Sequence, residues 1–237
     1  MKMKRADTEL LSQPFFMKNG GFFMKRKSFI YMLLFMLLLS SCSNAVDQQD
    51  TAPEQAKQNN DDYLADYASN PQVTDDRNLL EVGQSVLDEK GEATLKAIRH
   101  INKIYNVGPV ELEIKDMKLI HLKPDYSLVD YFHVLTHEEE FDFIKVFVEI
   151  RNTSTEKVNF APIAMIETNT GEKIDWKKDI YLEDLNGKLD GQSTKKGNLG
   201  FIIESTDDLE WIEITTSDVF DKNSDKISDS QKIRIEK

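Results

Sequence analysis

His137 is followed by Glu138, Glu139 and Glu140, the opening of a zinc-protease helix in which a second histidine four residues on shares a face with the first. That position is Phe141, so the motif fails. His100, His121, His133 and His137 are otherwise scattered and read as solvated or edge-strand histidines. Gly191 and Gly197 do not make a phosphate cradle, since Asn198 stands where lysine is required. None of the loop serines sits in a nucleophile elbow. The best oxygen cluster is Asp221, Asn223, Asp225 and Asp229, at positions 1, 3, 5 and 9 of a loop, a spacing that suits calcium. Positions 6 and 12, where such a loop wants glycine and glutamate, are Lys226 and Lys232, and both oppose a cation. The competing reading is a polar hairpin ahead of the last strand, and no metal or other cofactor is expected. No candidate catalytic residue emerges. Trp176, Tyr181, Trp211 and Phe220 fit either a ligand surface or the rim of a core.

The single cysteine, Cys42, excludes an intramolecular disulfide. It follows Lys25, Arg26 and Lys27, the 11-residue apolar run Phe29 to Leu39, and then Ser40 and Ser41. A basic cluster, a short apolar segment and small residues define a secretory signal. The run falls short of the roughly 20 residues a spanning helix needs. Leu39-Ser40-Ser41-Cys42 resembles the lipobox of bacterial lipoproteins. That resemblance implies diacylation of the Cys42 thiol, as by palmitate, and cleavage just before it. Each buried methylene adds about 0.8 kcal/mol, and two chains give a lasting membrane anchor where one does not. The expected location is the extracytoplasmic face of the cell membrane, with the membrane itself as a partner through Cys42.

Residues 1–23 lie ahead of this pattern, and Met24 stands directly before the basic cluster. They read as a spurious or disordered extension, with an unusually long n-region as the alternative. Residues 24–41 form the signal and 42–77 a lipidated flexible linker, rich in Gln, Asn, Asp and Ala, that buries too little to offset its ordering entropy. Within it, Tyr63, Leu64 and Tyr67 suit a helical turn. Such a coil spans roughly 30 Å.

Charge narrows the partners. The chain carries a net charge of -12 over 237 residues, and residues 1–41 hold 7 Lys/Arg against 2 Asp/Glu. Removing them leaves 23 basic and 40 acidic side chains, a net of -17. Nucleic acid is not expected as a partner, and anionic lipid repels the domain.

The elements that must position any site are strands. Val146, Val148 and Ile150 alternate with Lys145, Phe147 and Glu149, and Ile144 extends the set. Phe143 and Phe147 lend the other face apolar character, which marks a central strand. Leu199, Phe201 and Ile203 alternate, as do Ile212 and Ile214, and Ile233 and Ile235. Val110, Leu112 and Ile114 shift parity to Met117 and Leu119, which predicts a bulge near Lys115-Asp116. Asn169-Thr170-Gly171, Asn106 to Pro109 and Lys196-Gly197-Asn198 are read as turns. Ala93 to Tyr105 is read as strand. Asp125 caps a short helix to Phe132.

The expected class is therefore mainly β, an antiparallel sandwich with at most one or two short helices over residues 78–237. Leu80 to Gln84, the strand ending Val148 to Ser154, Thr168 to Glu172 and the strand Gly197 to Ile203 resemble, in order and spacing, the immunoglobulin-like domain of unknown function of Gram-positive surface lipoproteins. The resemblance implies a β-sandwich on a lipid tether and carries no catalytic residue. The functional expectation is a non-enzymatic interaction or envelope-associated module that meets a surface or envelope protein. The alternative is a small-molecule or metal-binding lipoprotein accessory to a transporter.

Overall fold

Alternation dictates the architecture. In a computed structural model, which describes residues 62–64 and 66–237, thirteen antiparallel strands form sheets in a sandwich-like arrangement. The strands are β1 (Ser85–Asp88), β2 (Gly91–Val107), β3 (Val110–Pro124), β4 (Phe141–Asn152), β5 (Val158–Phe160), β6 (Met165–Thr168) and β7 (Lys173–Asp175). They continue as β8 (Gly187–Leu189), β9 (Thr194–Ile203), β10 (Trp211–Thr215), β11 (Val219–Asp221), β12 (Lys226–Ser228) and β13 (Lys232–Glu236). The long strands make one sheet in the order β1-β2-β3-β4-β9. The short ones make two more, β13-β10-β6-β7 and β12-β11-β5-β8.

One core lies between the large sheet and the two small ones. Ile144, Val146, Val148 and Ile150 of β4 meet Leu199, Phe201 and Ile203 of β9 there, with Ile166, Ile212, Ile214, Ile233 and Ile235 opposite. Fully burying each such side chain contributes about 1.5–3 kcal/mol. In β3 the pairing register slips between Ile114 and Asp116, where the parity change predicts a bulge. The slip keeps Leu112 and Ile114 before it, and Met117 and Leu119 after it, on the same buried face.

The opposite face of the large sheet is also covered. Leu95, Ile120, Leu122, Phe141 and Phe143 form a second core with Val73, Leu79, Phe132, Ile180 and Tyr181. Phe132 ends α1 (Val129–Phe132), the one α-helix among the described residues. A 3-10 turn over Tyr126–Leu128 precedes it, capped by Asp125, whose side chain accepts the amide of Ser127.

Two expectations need correction. The folded unit begins before residue 78: Leu64, Asn70, Val73, Thr74 and Asp76 are all buried. Tyr63 lies in a 3-10 turn (Asp62–Leu64), and its ring is 4.7 Å from that of Phe147. The polar composition of this stretch suits a linker, but Tyr63 and Asp76 find partners in the large sheet and Tyr67 and Asn70 in the loop at Tyr181 and Glu183. Lys196-Gly197-Asn198 is not a turn either. It lies inside β9, where Gly197 pairs with Val148 and Asn198 with Phe147. Leu39, Ser40, Ser41 and Cys42, with the whole signal and the 1–23 extension, lie outside the described residues.

Candidate functional site

Two polar assemblies stand out on the large sheet. The first is buried. Lys118 of β3 and Lys145 of β4 are cross-strand partners, an arrangement in which like charges repel. Each is 1% exposed as a side chain, so neither can reach water. Asp76, from the segment preceding the sheet, inserts between them. Its Oδ2 accepts from Lys145 Nζ at 2.7 Å and Lys118 Nζ at 2.8 Å, and its backbone carbonyl accepts from Lys118 at 2.7 Å. Burial pushes the Asp76 carboxyl upward, but the two ammonium groups outweigh it and hold the group below the usual carboxylate range. Burial likewise opposes the charge on Lys145, and the carboxylates of Asp76 and Asp116 prevail and raise it.

Around this triad the same segment binds the neighbouring row of the sheet. Asp116, Phe147 and Asn198 sit side by side on β3, β4 and β9. The Tyr63 hydroxyl donates to Asp116, and the Tyr67 hydroxyl donates to Glu183. Burial and the Glu183 carboxylate raise Tyr67 far above its ordinary value. Asn70 donates to Glu183 at 3.0 Å and to the carbonyl of Tyr181 at 2.9 Å. Asp179 anchors the facing loop by accepting the amides of Gly200 at 2.9 Å and Tyr181 at 3.1 Å. Gly200 is required here, because a Cβ would lie 2.7 Å from the Tyr181 ring. This assembly straps residues 63–79 to the sheet.

The second assembly is open to solvent. A cleft of about 990 Å³ lies beside β4 and β9, with the loop before β4 and the start of β7 along its wall. At its floor Asp142 of β4 faces its cross-strand partner His121 of β3, whose Nδ1 lies 2.8 Å from Asp142 Oδ1. Lys96, at the first bulge of β2, donates to Asp142 Oδ2 and to Thr206 Oγ1, and Thr206 also donates to Asp142. Burial opposes the charge on Asp142, but the hydrogen bonds from Lys96, Thr206 and His121 hold its carboxyl below the usual range. Glu138, Glu140, Glu172, Glu204 and Asp207 line the cleft against Lys173 and Lys178. Burial and the nearby Glu204 carboxylate raise Glu172, against the backbone amides of Glu204 and Ser205. This is a fixed anion set among polar walls, suited to holding a cationic or hydrogen-bonding group.

The predicted site residues map elsewhere. Asp221, Asn223 and Asp225 form the turn between β11 and β12. Asp221 Oδ1 accepts the amides of Asn223 at 2.8 Å and Asp225 at 2.9 Å. Asp229 pairs with Lys226 at 2.6 Å. The oxygens expected for a cation are thus engaged by their own loop, and among the described residues no group of three or more His, Asp or Glu is placed to hold a metal ion. Of the four aromatics, Tyr181 is buried in the second core and Trp211 stacks under Arg234 at 3.8 Å. Trp176 stands half-exposed in the 3-10 turn after β7, and Phe220 pairs with Asn159. They do not make one surface. His137 and Glu138 line the cleft, though not as a metal motif. The sequence does not single out Lys96, Asp142 or Thr206, because they come from distant stretches of chain that only the fold brings together.

This geometry defines a mainly β, sandwich-like domain whose large sheet is strapped on one face and carries a polar cleft at its end. The chain belongs to the family of the uncharacterized protein YdhF of Bacillus subtilis (strain 168), to which it is 58% identical over 199 residues, covering 78% of this chain and 84% of that protein. It is also 25% identical over 159 residues to an SPbeta prophage-derived uncharacterized lipoprotein, YonS, of the same strain, covering 65% of this chain and 71% of YonS. No protein-family model matches the chain. Solved structures similar to it include a functionally unknown protein from Listeria monocytogenes EGD-e, with a TM-score of 0.47 at 15% identity, covering 62% of this chain and 87% of that one. Another is the YjhA protein of Bacillus subtilis, with a TM-score of 0.37 at 10% identity, covering 57% of this chain and 97% of that one.

Proposed function

We propose that the chain is a lipoprotein of a Gram-positive cell envelope, anchored through Cys42 on the extracytoplasmic face, and that it binds a partner without catalysing a reaction. The anchor rests on the basic cluster, the 11-residue apolar run and Ser40-Ser41-Cys42, and the relationship to the lipoprotein YonS supports it. The binding reading rests on the sequence, which carries no catalytic motif, and on the cleft, where Asp142 is occupied by hydrogen bonds from Lys96, Thr206 and His121. Asp179, which burial raises to about 6, spends its oxygens on the backbone amides of its own loop.

Labelling with a radioactive fatty acid and mass spectrometry of the mature N-terminus test the anchor. Wild type carries lipid on Cys42, and Cys42→Ser carries none and stays uncut. Unlipidated wild type would overturn it. The volume and polar lining of the cleft favour a second reading, a small-molecule-binding lipoprotein accessory to a transporter. Melts of the purified protein against a panel of amino acids, short peptides and polyamines separate the two. A saturable upward shift that Asp142→Asn removes selects the second reading, and an unmoved melt selects the first.

A further inference from the structure

Residues 63–79 lie between Cys42 and the first strand, and side chains rather than strand pairing hold them to the domain. Among the described residues, no backbone-to-backbone hydrogen bond ties residues 66–79 to a strand. The ties include Asp76 with Lys118 and Lys145, Asn70 and Tyr67 with Glu183, and Lys90 with Ser69 at 2.8 Å and the Asn70 carbonyl at 3.1 Å. The buried apolar side chains of this segment, among the described residues, are Leu64, Val73 and Leu79, against seven on β4 alone. Local opening is easiest where buried apolar contact and backbone pairing are sparse, and this segment is low in both.

The seam beneath it is incompletely satisfied. Five buried side-chain polar atoms among the described residues have no hydrogen-bond partner in the protein. Four of them lie at this seam: Thr74 Oγ1 on the strap, Asp116 Oδ1 on β3, Asn198 Oδ1 on β9, and the hydroxyl of Tyr181 in the loop that Asn70 grips. Each of these residues is at most 3% exposed. An unpaired polar group is destabilising only while it stays buried, so lifting the strap removes the penalty. The loop adds strain. Leu182 and Asp184 stand at φ +54° and +52°, in the left-handed region that non-glycine residues avoid. Leu182 is 65% exposed, so packing does not hold it there. Glu183, between them, is pinned by Tyr67, by Asn70 and by the Asn198 amide. Strained backbone persists only where its surroundings over-determine it, and two of those three bonds come from the strap.

We infer that residues 63–79 form a releasable latch, which lifts off the large sheet as a unit while the central core and the sheet stay folded, and so lengthens the tether to the domain. Fully extended, the released segment adds at most about 60 Å of reach. Named contacts define the two states. Closed, the Asp76 carboxylate neutralises Lys118 and Lys145, and the rings of Tyr63 and Tyr67 lie 4.7 and 5.8 Å from that of Phe147. Open, the two ammonium groups, the Phe147 ring and the four unpaired polar atoms meet water. All three charges of the triad regain water together on opening, so the triad resists release less than the loss of one partner would suggest. The change of reach rests on the Cys42 anchor, whereas the opening does not.

The test uses the full-length protein in detergent and two reporters native to it. One is hydrogen exchange at the amides of 66–79. The other is acetylation of Lys118 and Lys145 by an amine-reactive ester, mapped by mass spectrometry, since both lysines are buried while the latch is shut. The two reporters should follow one common opening, at least about tenfold more frequent than opening of the paired amides of β3 and β4. Thr74→Val and Tyr181→Phe each remove an unpaired hydroxyl with little change of shape, and each should slow both reporters by about fivefold or more. Reporters that respond only as fast as the β3 and β4 amides would overturn the inference. So would lysines that react independently of 66–79, or variants that leave both rates unchanged. Fatty-acid labelling of the same preparations shows separately whether the anchor reading stands.

Discussion

Asp76 Oδ2 lies 2.7 Å from Lys145 Nζ, although the two residues are 69 positions apart and neither side chain exceeds 6% exposure. Since Lys118 shares the same oxygen, a single carboxylate joins the segment leaving the linker to the two central strands of the sheet. Removing one partner of a buried ion pair leaves the others uncompensated and costs about 3–5 kcal/mol. Asp76→Ala should therefore lower stability by that order in urea unfolding. Exchange should accelerate first at the amides of 67–79. An Asp76→Ala, Lys118→Met, Lys145→Met variant should recover much of the loss, because well-packed apolar groups can replace a buried ionic cluster. If Asp76→Ala unfolds at the wild-type midpoint, the strap is not held this way.

Asp76 and Asp179 should shape the pH dependence in opposite senses. The folded pKa of Asp76 is depressed, mostly by Lys145 and Lys118 against the effect of burial, so its stabilisation is present above its unfolded value near 3.9 and is lost as pH falls through the folded pKa. Asp179 is raised to about 6, chiefly by burial, with the Glu183 carboxylate adding and the amides of Gly200, Tyr181 and Leu182 opposing. Between about 4 and 6 the folded state then binds more protons than the unfolded one, and stability falls as pH rises, by on the order of 3 kcal/mol. Urea midpoints from pH 3 to 8 should show an acid limb and this separate decline. Asp179→Asn should flatten the decline and leave the limb below pH 4. A profile identical to wild type would show that Asp179 titrates normally.

Period-two alternation made the central core legible. Ile144 to Ile150, Leu199 to Ile203 and the bulge at Asp116 all follow from parity, because one face of each strand must be apolar. The strap was not legible. Asn70, Thr74 and Asp76 read as solvated, and it is partners distant in the chain that draw the segment inside, Tyr181 and Glu183 for Asn70 and Lys118 and Lys145 for Asp76. Lys145 itself alternates with Ile144 and Val146 as a surface residue would, yet it is buried because the strap covers its face. The cleft was hidden for a related reason. Lys96, His121, Asp142 and Thr206 come from four stretches of chain: register pairs His121 with Asp142, while Lys96 sits at a bulge of β2 and Thr206 in the loop after β9.

Val148 tests the core that alternation predicts. It is fully buried, between Ile114 on β3 and Gly197 on β9. Val148→Ala removes buried methyls and leaves a small cavity, at about 1–3 kcal/mol. Urea unfolding measures the loss as a lower midpoint with the same slope. A midpoint within error of wild type would mean that the sheets do not pack closely at this row.

Calcium should not stabilise the fold. In the turn from Asp221 to Asp225, Asp221 accepts two backbone amides and a side-chain amide, and the hydrogen bonds, led by that from Asp225, hold its carboxyl below the usual range. An arriving cation would have to displace those bonds and face Lys226, which pairs with Asp229 and lies 3.7 Å from Asp218. Ser224, at φ +71°, takes the left-handed conformation that lets the turn close on Asp221. The turn is thus complete without a metal. Any binding should be no tighter than the 10⁻⁴–10⁻³ M, roughly, of weak extracellular modules. Thermal melts in EDTA and in millimolar calcium should coincide. Calcium at 100 times its dissociation constant would add about 2.7 kcal/mol, which a melt resolves easily. A rise of that size, abolished in an Asp221→Ala, Asp225→Ala variant, would show that the loop opens its carboxylates to the ion and that the hairpin reading is wrong.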